Sequence, residues 1–296
     1  MEFYKDKDKV LIIDFGSQVT KLIARRIRDL GVYSEIISST KINELKEYKN
    51  IKGIIFSGGP STVTKNKFQT VPKEILKKNI PILGICYGLQ LISKLFGGKI
   101  KSSNKKREFG RAILFKKKKS LITKNFFTSS TDVWMSHEDA VIKMPKNFNV
   151  VASTKESKFT VIENVKNKIY GVQFHPEITH TKNGIQIFKN FLFNICKLKK
   201  KWNISSQKKF LLNEIKKTVK NNKVICALSG GVDRLRHRFL IYEIWKLSKT
   251  PFLFHAHPED FDCFVSPRDR DMDRDVKDYL TKFTTATPSR ADYNVV

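Results

Sequence analysis

Gly84-Ile85-Cys86-Tyr87-Gly88 sets a cysteine between two glycines, each two residues away. The apolar run Ile80 to Leu83 before it reads as a short buried strand, and Leu89, Ile92, Leu95 and Phe96 after it recur at helical spacing. Cys86 therefore falls in a strand-to-helix turn, the kind of elbow that lifts a nucleophile clear of a sheet. The amides that open the following helix favour a thiolate there, and the Tyr87 amide is placed to hold an oxyanion. An isolated cysteine is more often a core residue, so the reading needs partners. Gln173-Phe174-His175-Pro176-Glu177 supplies them: His175 and Glu177 are two apart and share one side of an extended segment. An imidazole about 3 Å from a thiol can take its proton, and a carboxylate on the other ring nitrogen fixes the tautomer and stabilises the imidazolium. Ser57-Gly58-Gly59-Pro60 adds a loop whose Gly59 amide could join that of Tyr87 in a two-donor oxyanion hole. Read singly, Gly-Gly-Pro is turn punctuation and His-Pro-Glu a loop. Their conjunction with the elbow cysteine is what points to nucleophilic acyl transfer.

These groups need a frame. Lys9 to Asp14 reads as a first buried strand, followed by the turn Phe15 to Gln18. A helix then carries Val19, Leu22, Ile23, Ile27 and Leu30 on one face, with Ser17 able to cap its start and Gly31 its stop. A strand over Tyr33–Ile37, a short helix over Ile42–Tyr48 and a strand over Gly53–Phe56 complete a βαβ alternation, which predicts a parallel sheet covered on both faces. Sites in such sheets lie beyond the strand carboxyl ends, where Ser57–Pro60 and the elbow both fall. From Lys99 to Val172 the pattern turns to short β-rich stretches, 109–115, 132–135, 150–153, 159–163 and 169–174, expected to be antiparallel. The fold class expected is thus α/β, with a mostly parallel central sheet flanked by helices, a smaller antiparallel β part, and an incomplete second domain. An amphipathic helix with Phe188, Phe191, Leu192 and Ile195 closes the first domain, and Lys197 to Asn203 reads as a linker. A helix over Ser205–Lys220 and a strand over Lys223–Leu228 lead to Ser229-Gly230-Gly231-Val232-Asp233, a loop suited to cradling phosphate. Arg234, Arg236 and Arg238 follow, and then little regular patterning.

The chain of 296 residues allows two modest domains, and its net charge of +29 invites a nucleic-acid reading. Nearly all that excess lies before residue 234 and is lysine: only Arg25, Arg26, Arg28, Arg107 and Arg111 precede that position. Scattered lysines without interleaved aromatics lack both a stacking platform and the forked donors of base readout, so no nucleic-acid partner is expected. The four cysteines, 86, 196, 226 and 263, have neither a pairing pattern nor metal-ligand spacing, which fits a reducing cytoplasm and no metal site. No run approaches the roughly 18 apolar residues of a membrane span, and the N-terminus is charged.

In this order the motifs resemble class I glutamine amidotransferases. Within that family they look most like the GMP synthase branch, through Asp14 to Gln18, Gly84 to Gln90, Glu108-Phe109-Gly110, Asp132 to His137 and Gln173 to Thr181. The resemblance runs over about residues 9–233. It implies Cys86 as nucleophile, His175 as base, Glu177 as its orienter, Gly59 and Tyr87 as oxyanion amides, and Gly58, Gln90, Ser136 and His137 around the glutamine. The glutaminase step would need no cofactor. In the full family reaction a second half uses ATP and Mg to activate XMP, which the ammonia converts to GMP, and Ser229, Gly230, Gly231, Val232 and Asp233 look like the start of its ATP loop. The implied domains are 1–200 (amidotransferase), 201–233 (start of the synthetase half) and 234–296 (an unrelated tail, expected to be disordered). The family is a homodimer, but nothing in this tail resembles its dimerisation region or an XMP site. Two departures stand out: Arg234 replaces the family's serine after Asp233, and Glu138 replaces its usual glycine. After residue 234 arginine outnumbers lysine, which fits a frame change or a joined foreign segment. Another triad hydrolase of the same fold, or a fragment without catalysis, are the alternatives.

Overall fold

The computed structural model describes residues 7–42, 49–102 and 108–220, and the backbone of 225–227 and 253–255. Two compact units divide the chain, Met1–Gln207 and Lys208–Val296.

In the first unit β1 (Lys9–Asp14), α1 (Thr20–Asp29), β2 (Tyr33–Ser38) and β3 (Ile51–Phe56) follow in order. After them come α2 (Lys73–Lys77), β4 (Ile82–Ile85) and α3 (Tyr87–Leu95). A run of strands follows: β5 (Lys99–Ser102), β6 (Glu108–Lys116), β7 (Ser130–His137), β8 (Asp139–Lys143), β9 (Asn149–Ser153), β10 (Val161–Asn164) and β11 (Ile169–Val172). α4 (Ile185–Lys189) then runs directly into a π-helical segment, Asn190–Ile195. One nine-stranded sheet takes the order β2-β1-β3-β4-β11-β10-β9-β6-β7. Its pairings are parallel from β2 to β11 and antiparallel from β11 to β7. The smaller antiparallel part that was expected is present, and most of its strands extend the parallel sheet. Only β5 and β8, which the apolar pattern did not mark, pair apart from it as a two-stranded ribbon.

Alternation along the buried strands splits the core between the two faces. Val10, Ile12, Ile55, Leu83 and Ile85 face α1 and the α4–π segment through Ile23, Ile27, Phe188, Phe191 and Leu192. Leu11, Ile13, Ile54, Phe56 and Ile82 face the other way, onto Leu89, Leu91 and Ile92 of α3. α3 is enclosed, with Tyr87 to Ser93 all buried, because β3, β4 and β11 lie on one side of it and the β5–β8 ribbon on the other. Gly31 ends the α1 turn at φ +82°, as expected. Ser17 does not cap α1 itself. The helix starts later, at Thr20, and the Ser17 hydroxyl instead accepts the Val19 amide in the turn before it. The expected helix over 42–48 falls mostly outside the described residues; 39–42 form a single 3₁₀ turn.

In the second unit the described residues are those of α5 (Ile204–Val219), which starts at the end of the first unit, and a parallel pair, β12 (Ile225–Ala227) with β13 (Leu253–His255). The Ser229–Asp233 loop, and residues 234–296 apart from β13, lie outside the described residues. Among the described residues no helix is long and apolar enough to cross a membrane, and no His, Cys, Asp and Glu cluster suits a metal ion.

Candidate active site

Register brings the three motifs to one place. β3 pairs with β4 at Phe56 and Gly84, and β4 pairs with β11 at Ile85 and Val172, all in parallel. The residues just past these pairs are Ser57-Gly58-Gly59, Cys86 and Gln173-Phe174-His175. Three adjacent strands thus deliver the glycine loop, the cysteine and the histidine to the same edge.

Cys86 sits at φ +53°, ψ −105°, a conformation that a side chain with a Cβ rarely adopts. The elbow is held in it from both sides. The Cys86 amide donates to Val172 O at 2.8 Å, and its carbonyl accepts the Leu89 and Gln90 amides at 3.1 and 3.2 Å. α3 therefore starts at Tyr87, two residues earlier than periodicity predicted. Gly88 falls inside the helix, and its missing side chain is what lets α3 lie on the sheet. A Cβ there would run into the Phe56 carbonyl, and one on Gly84 would come within 2.5 Å of Gly88. The Tyr87 and Gly88 amides precede the first intrahelical donors, as orphan N–H groups do at a helix start. The Tyr87 phenol is spoken for: it donates to Gln69 O, and burial pushes it up to about 12.

Gly59 is fixed by close approach. A Cβ on it would lie 2.6 Å from the Phe15 carbonyl, so the loop packs flush against the turn after β1. The Ser57 hydroxyl binds that turn by accepting the Phe15 amide at 3.1 Å. Gly58 faces inward, since a Cβ there would be 3.3 Å from His175 Cε1.

His175 is 8% exposed and Glu177 not at all. The histidine's Nδ1 lies 2.7 Å from Glu177 Oε1. Burial opposes a charge on this ring, but hydrogen bonds to Cys86 and Glu177, with the charges behind them, outweigh it and raise the imidazole to about 10. The direction favours a proton on the His175 ring, with Nδ1 held against the Glu177 carboxylate. Neighbours that the motifs alone left without a role hold it. Thr181 donates its hydroxyl to His175 O at 2.6 Å and accepts the Trp134 amide at 3.1 Å, while the His175 amide donates to Trp134 O. Arg26 Nε donates to Glu177 O at 3.0 Å, and Gln173 Nε2 lies 3.7 Å from Cys86 Sγ. Thr181 closes the motif that begins at Gln173, but its partner Trp134 in β7 lies 47 residues earlier.

The four residues expected around glutamine lie in two places. Gly58 is beside His175. Ser136 touches the cysteine, and His137 and Gln90 share the Asp139 carbonyl. Ser136 O accepts from Cys86 Sγ at 3.6 Å. Gln90 is buried and donates Nε2 to Asp139 O at 2.8 Å, and His137 has one ring nitrogen 3.0 Å from the same carbonyl and the other 3.2 Å from Glu108.

The arrangement, a buried cysteine on an elbow beside an imidazole with its carboxylate, suits attack on a carbonyl carbon, with backbone amides nearby to take up the developing charge. Comparison with known proteins places it. The glutamine amidotransferase class-I family model matches residues 11–195, more than half of the chain. The chain is 48% identical over 227 residues to the glutamine-hydrolysing GMP synthase of Brachyspira hyodysenteriae, and 49% identical over 228 residues to that of Clostridium tetani. These matches take in 76% and 77% of this chain but 44% of each relative, so the chain spans less than half the length of these proteins. Among solved structures, a protein of Thermoplasma acidophilum described as a proposed part of a GMP synthase is 28% identical with a TM-score of 0.56, over 69% of this chain and 97% of that one. The fold, the elbow sequence and the match over 11–195 agree: the chain belongs to the class I glutamine amidotransferase family.

Proposed function

We propose that this chain hydrolyses glutamine to glutamate and ammonia with Cys86 as nucleophile, His175 as acid and base, and Glu177 as the group that orients His175. The observation that carries the reading is the meeting of Cys86, His175 and the Gly58–Gly59 loop at the ends of β3, β4 and β11, with Glu177 2.7 Å behind the imidazole. The Cys86 thiolate attacks the side-chain amide carbon, and the carbonyl oxygen takes up negative charge facing the Gly59 and Tyr87 amides. The intermediate collapses as the C–N bond breaks, and the His175 imidazolium gives its proton to the departing nitrogen, which leaves as ammonia. A water molecule then gives a proton to the neutral His175 and adds to the thioester. The second intermediate expels the Cys86 sulfur, leaving glutamate. Gly58, Gln90 and the Ser136–His137 stretch line the glutamine pocket.

The ammonia goes, in this reading, to the amination of XMP to GMP, as in the GMP synthases that the chain resembles. That step belongs to an ATP- and Mg-using half. Ser229–Asp233 matches the start of its loop, while Arg234 breaks the pattern. We assign residues 1–200 to the amidotransferase and the acceptor chemistry to a part that 234–296 do not supply. Release of ammonia from glutamine by purified chain, absent in Cys86→Ala, tests the central assignment. Equal turnover by that variant would refute it.

A further inference from the structure

We propose that Glu108 is a positioning residue for the glutamine-binding side of the site, acting through His137 and Asp139. This rests on the glutaminase reading above. Glu108 opens β6 and stands opposite His137, the last residue of β7. Both are buried, at 7% and 5% exposure. The two carboxylate oxygens are divided between partners. Oε2 lies 3.2 Å from His137 Nε2, and Oε1 accepts the Thr154 hydroxyl at 2.7 Å. The other His137 nitrogen, Nδ1, lies 3.0 Å from the Asp139 carbonyl. Each ring nitrogen thus faces an acceptor, so the ring is clamped along one line from the carboxylate to the β7–β8 turn, with neither nitrogen left over for a ligand.

That line holds the end of β7 and the turn into β8. Asp139 O also accepts from Gln90 Nε2 of α3, and its carboxylate accepts from Thr62, four residues past Gly58. One residue before His137, the Ser136 carbonyl faces the Cys86 thiol at 3.6 Å. One network, buried around Glu108, His137 and Gln90 and part-buried at its ends, therefore ties the end of β7 to the elbow helix and to the segment after the glycine loop. Glu108 anchors it from outside, because Thr154 and Glu108 touch none of the reacting groups. Losing the carboxylate frees the His137 ring and lets the Ser136–Asp139 backbone drift relative to Cys86. The cost falls on holding glutamine, while the Cys86–His175–Glu177 line, which has its own anchors in Thr181 and Arg26, stays set.

The test compares full-length chain with Glu108→Gln, Glu108→Leu and Thr154→Val in three measurements. These are steady-state glutamine hydrolysis, alkylation of the cysteine by iodoacetamide, which needs no glutamine pocket, and thermal unfolding. The expected result is a KM for glutamine raised about tenfold or more in Glu108→Leu and less in Glu108→Gln, which keeps one accepting oxygen. kcat and the alkylation rate should stay within about threefold of wild type, the pattern of lost binding rather than lost chemistry. An unchanged KM in folded Glu108→Leu overturns the proposal, as does a fall in kcat or alkylation that matches the change in KM. Should Glu108→Leu not fold, Thr154→Val removes the hydroxyl that donates to Oε1, along with the bond that it accepts from the Ser157 amide. A raised KM there supports the assignment and an unchanged one overturns it. Wild-type chain without glutamine turnover would overturn the glutaminase reading and this proposal with it, whereas wild-type turnover with unchanged KM in the variants overturns this proposal alone.

Discussion

Replacing Glu177 by glutamine removes one charge and hardly any volume, so its effects report on the carboxylate rather than on packing. The carboxylate is fully buried, 2.7 Å from His175 Nδ1. A hydrogen bond to a charged group contributes about 1.5–3 kcal/mol. At roughly 1.4 kcal/mol per pH unit, its loss should lower the His175 value by about 1–2 units from its present position near 10. Burial then opposes the charge with only Cys86 to offset it. The sign for stability follows from linkage. A histidine raised in the fold stabilises it fully below its unfolded value of about 6.5 and loses that contribution as pH rises through its folded value. Wild type should therefore lose stability between about pH 6.5 and 10, and Glu177→Gln should be less stable by about 1.5–3 kcal/mol at pH 6 while losing less on the way up. Ring-labelled histidine titrated by NMR, together with urea unfolding at steps from pH 6 to 10, measures both; the difference between the two proteins cancels the groups they share. kcat/KM for glutamine should drop about ten- to hundredfold, since orientation is partly kept. A wild-type His175 titrating near 6.5, or two proteins with the same titration, would refute the reasoning.

Cys86→Ala should abolish glutamine hydrolysis and labelling by a glutamine-like diazoketone while leaving the fold intact, and retained turnover in a rate assay would contradict the nucleophile assignment. His175→Ala should lower kcat by at least about a hundredfold, the low end for a general acid or base, as measured by stopped-time ammonia release. Gly88→Ala drives a Cβ into the Phe56 carbonyl, and Gly59→Ala puts one 2.6 Å from the Phe15 carbonyl. Each should cost about 1–3 kcal/mol in urea unfolding. Gly59→Ala should also slow turnover about a hundredfold or more if its amide holds the oxyanion. Incubation with XMP, ATP, magnesium and ammonium should give no GMP above a control without enzyme, because the residues from Arg234 onward lack the family's phosphate-loop pattern.

Much of the chemistry was legible in one dimension. The elbow and the His-x-Glu step are local patterns, and apolar periodicity marks β1, α1, β3, β4 and β11 within a residue or two because each buries a continuous face. Where local signals misled, the cause was a distant contact. Periodicity starts α3 at Leu89, two residues late, because the close approach of Gly88 to the Phe56 backbone shows only in the fold, and β5 and β8 are too short and mixed to announce a ribbon that covers α3. Strand order was beyond the sequence altogether. Nothing in residues 169–172 says that they lie beside 82–85, yet that pairing puts His175 next to Cys86, and the β6–β7 register alone sets Glu108 against His137. Residue types and their spacing determined which groups could react. Which of them meet was decided only in the fold, because strand neighbours are chosen by the fit of both sheet faces at once, a sum over side chains far apart in the chain.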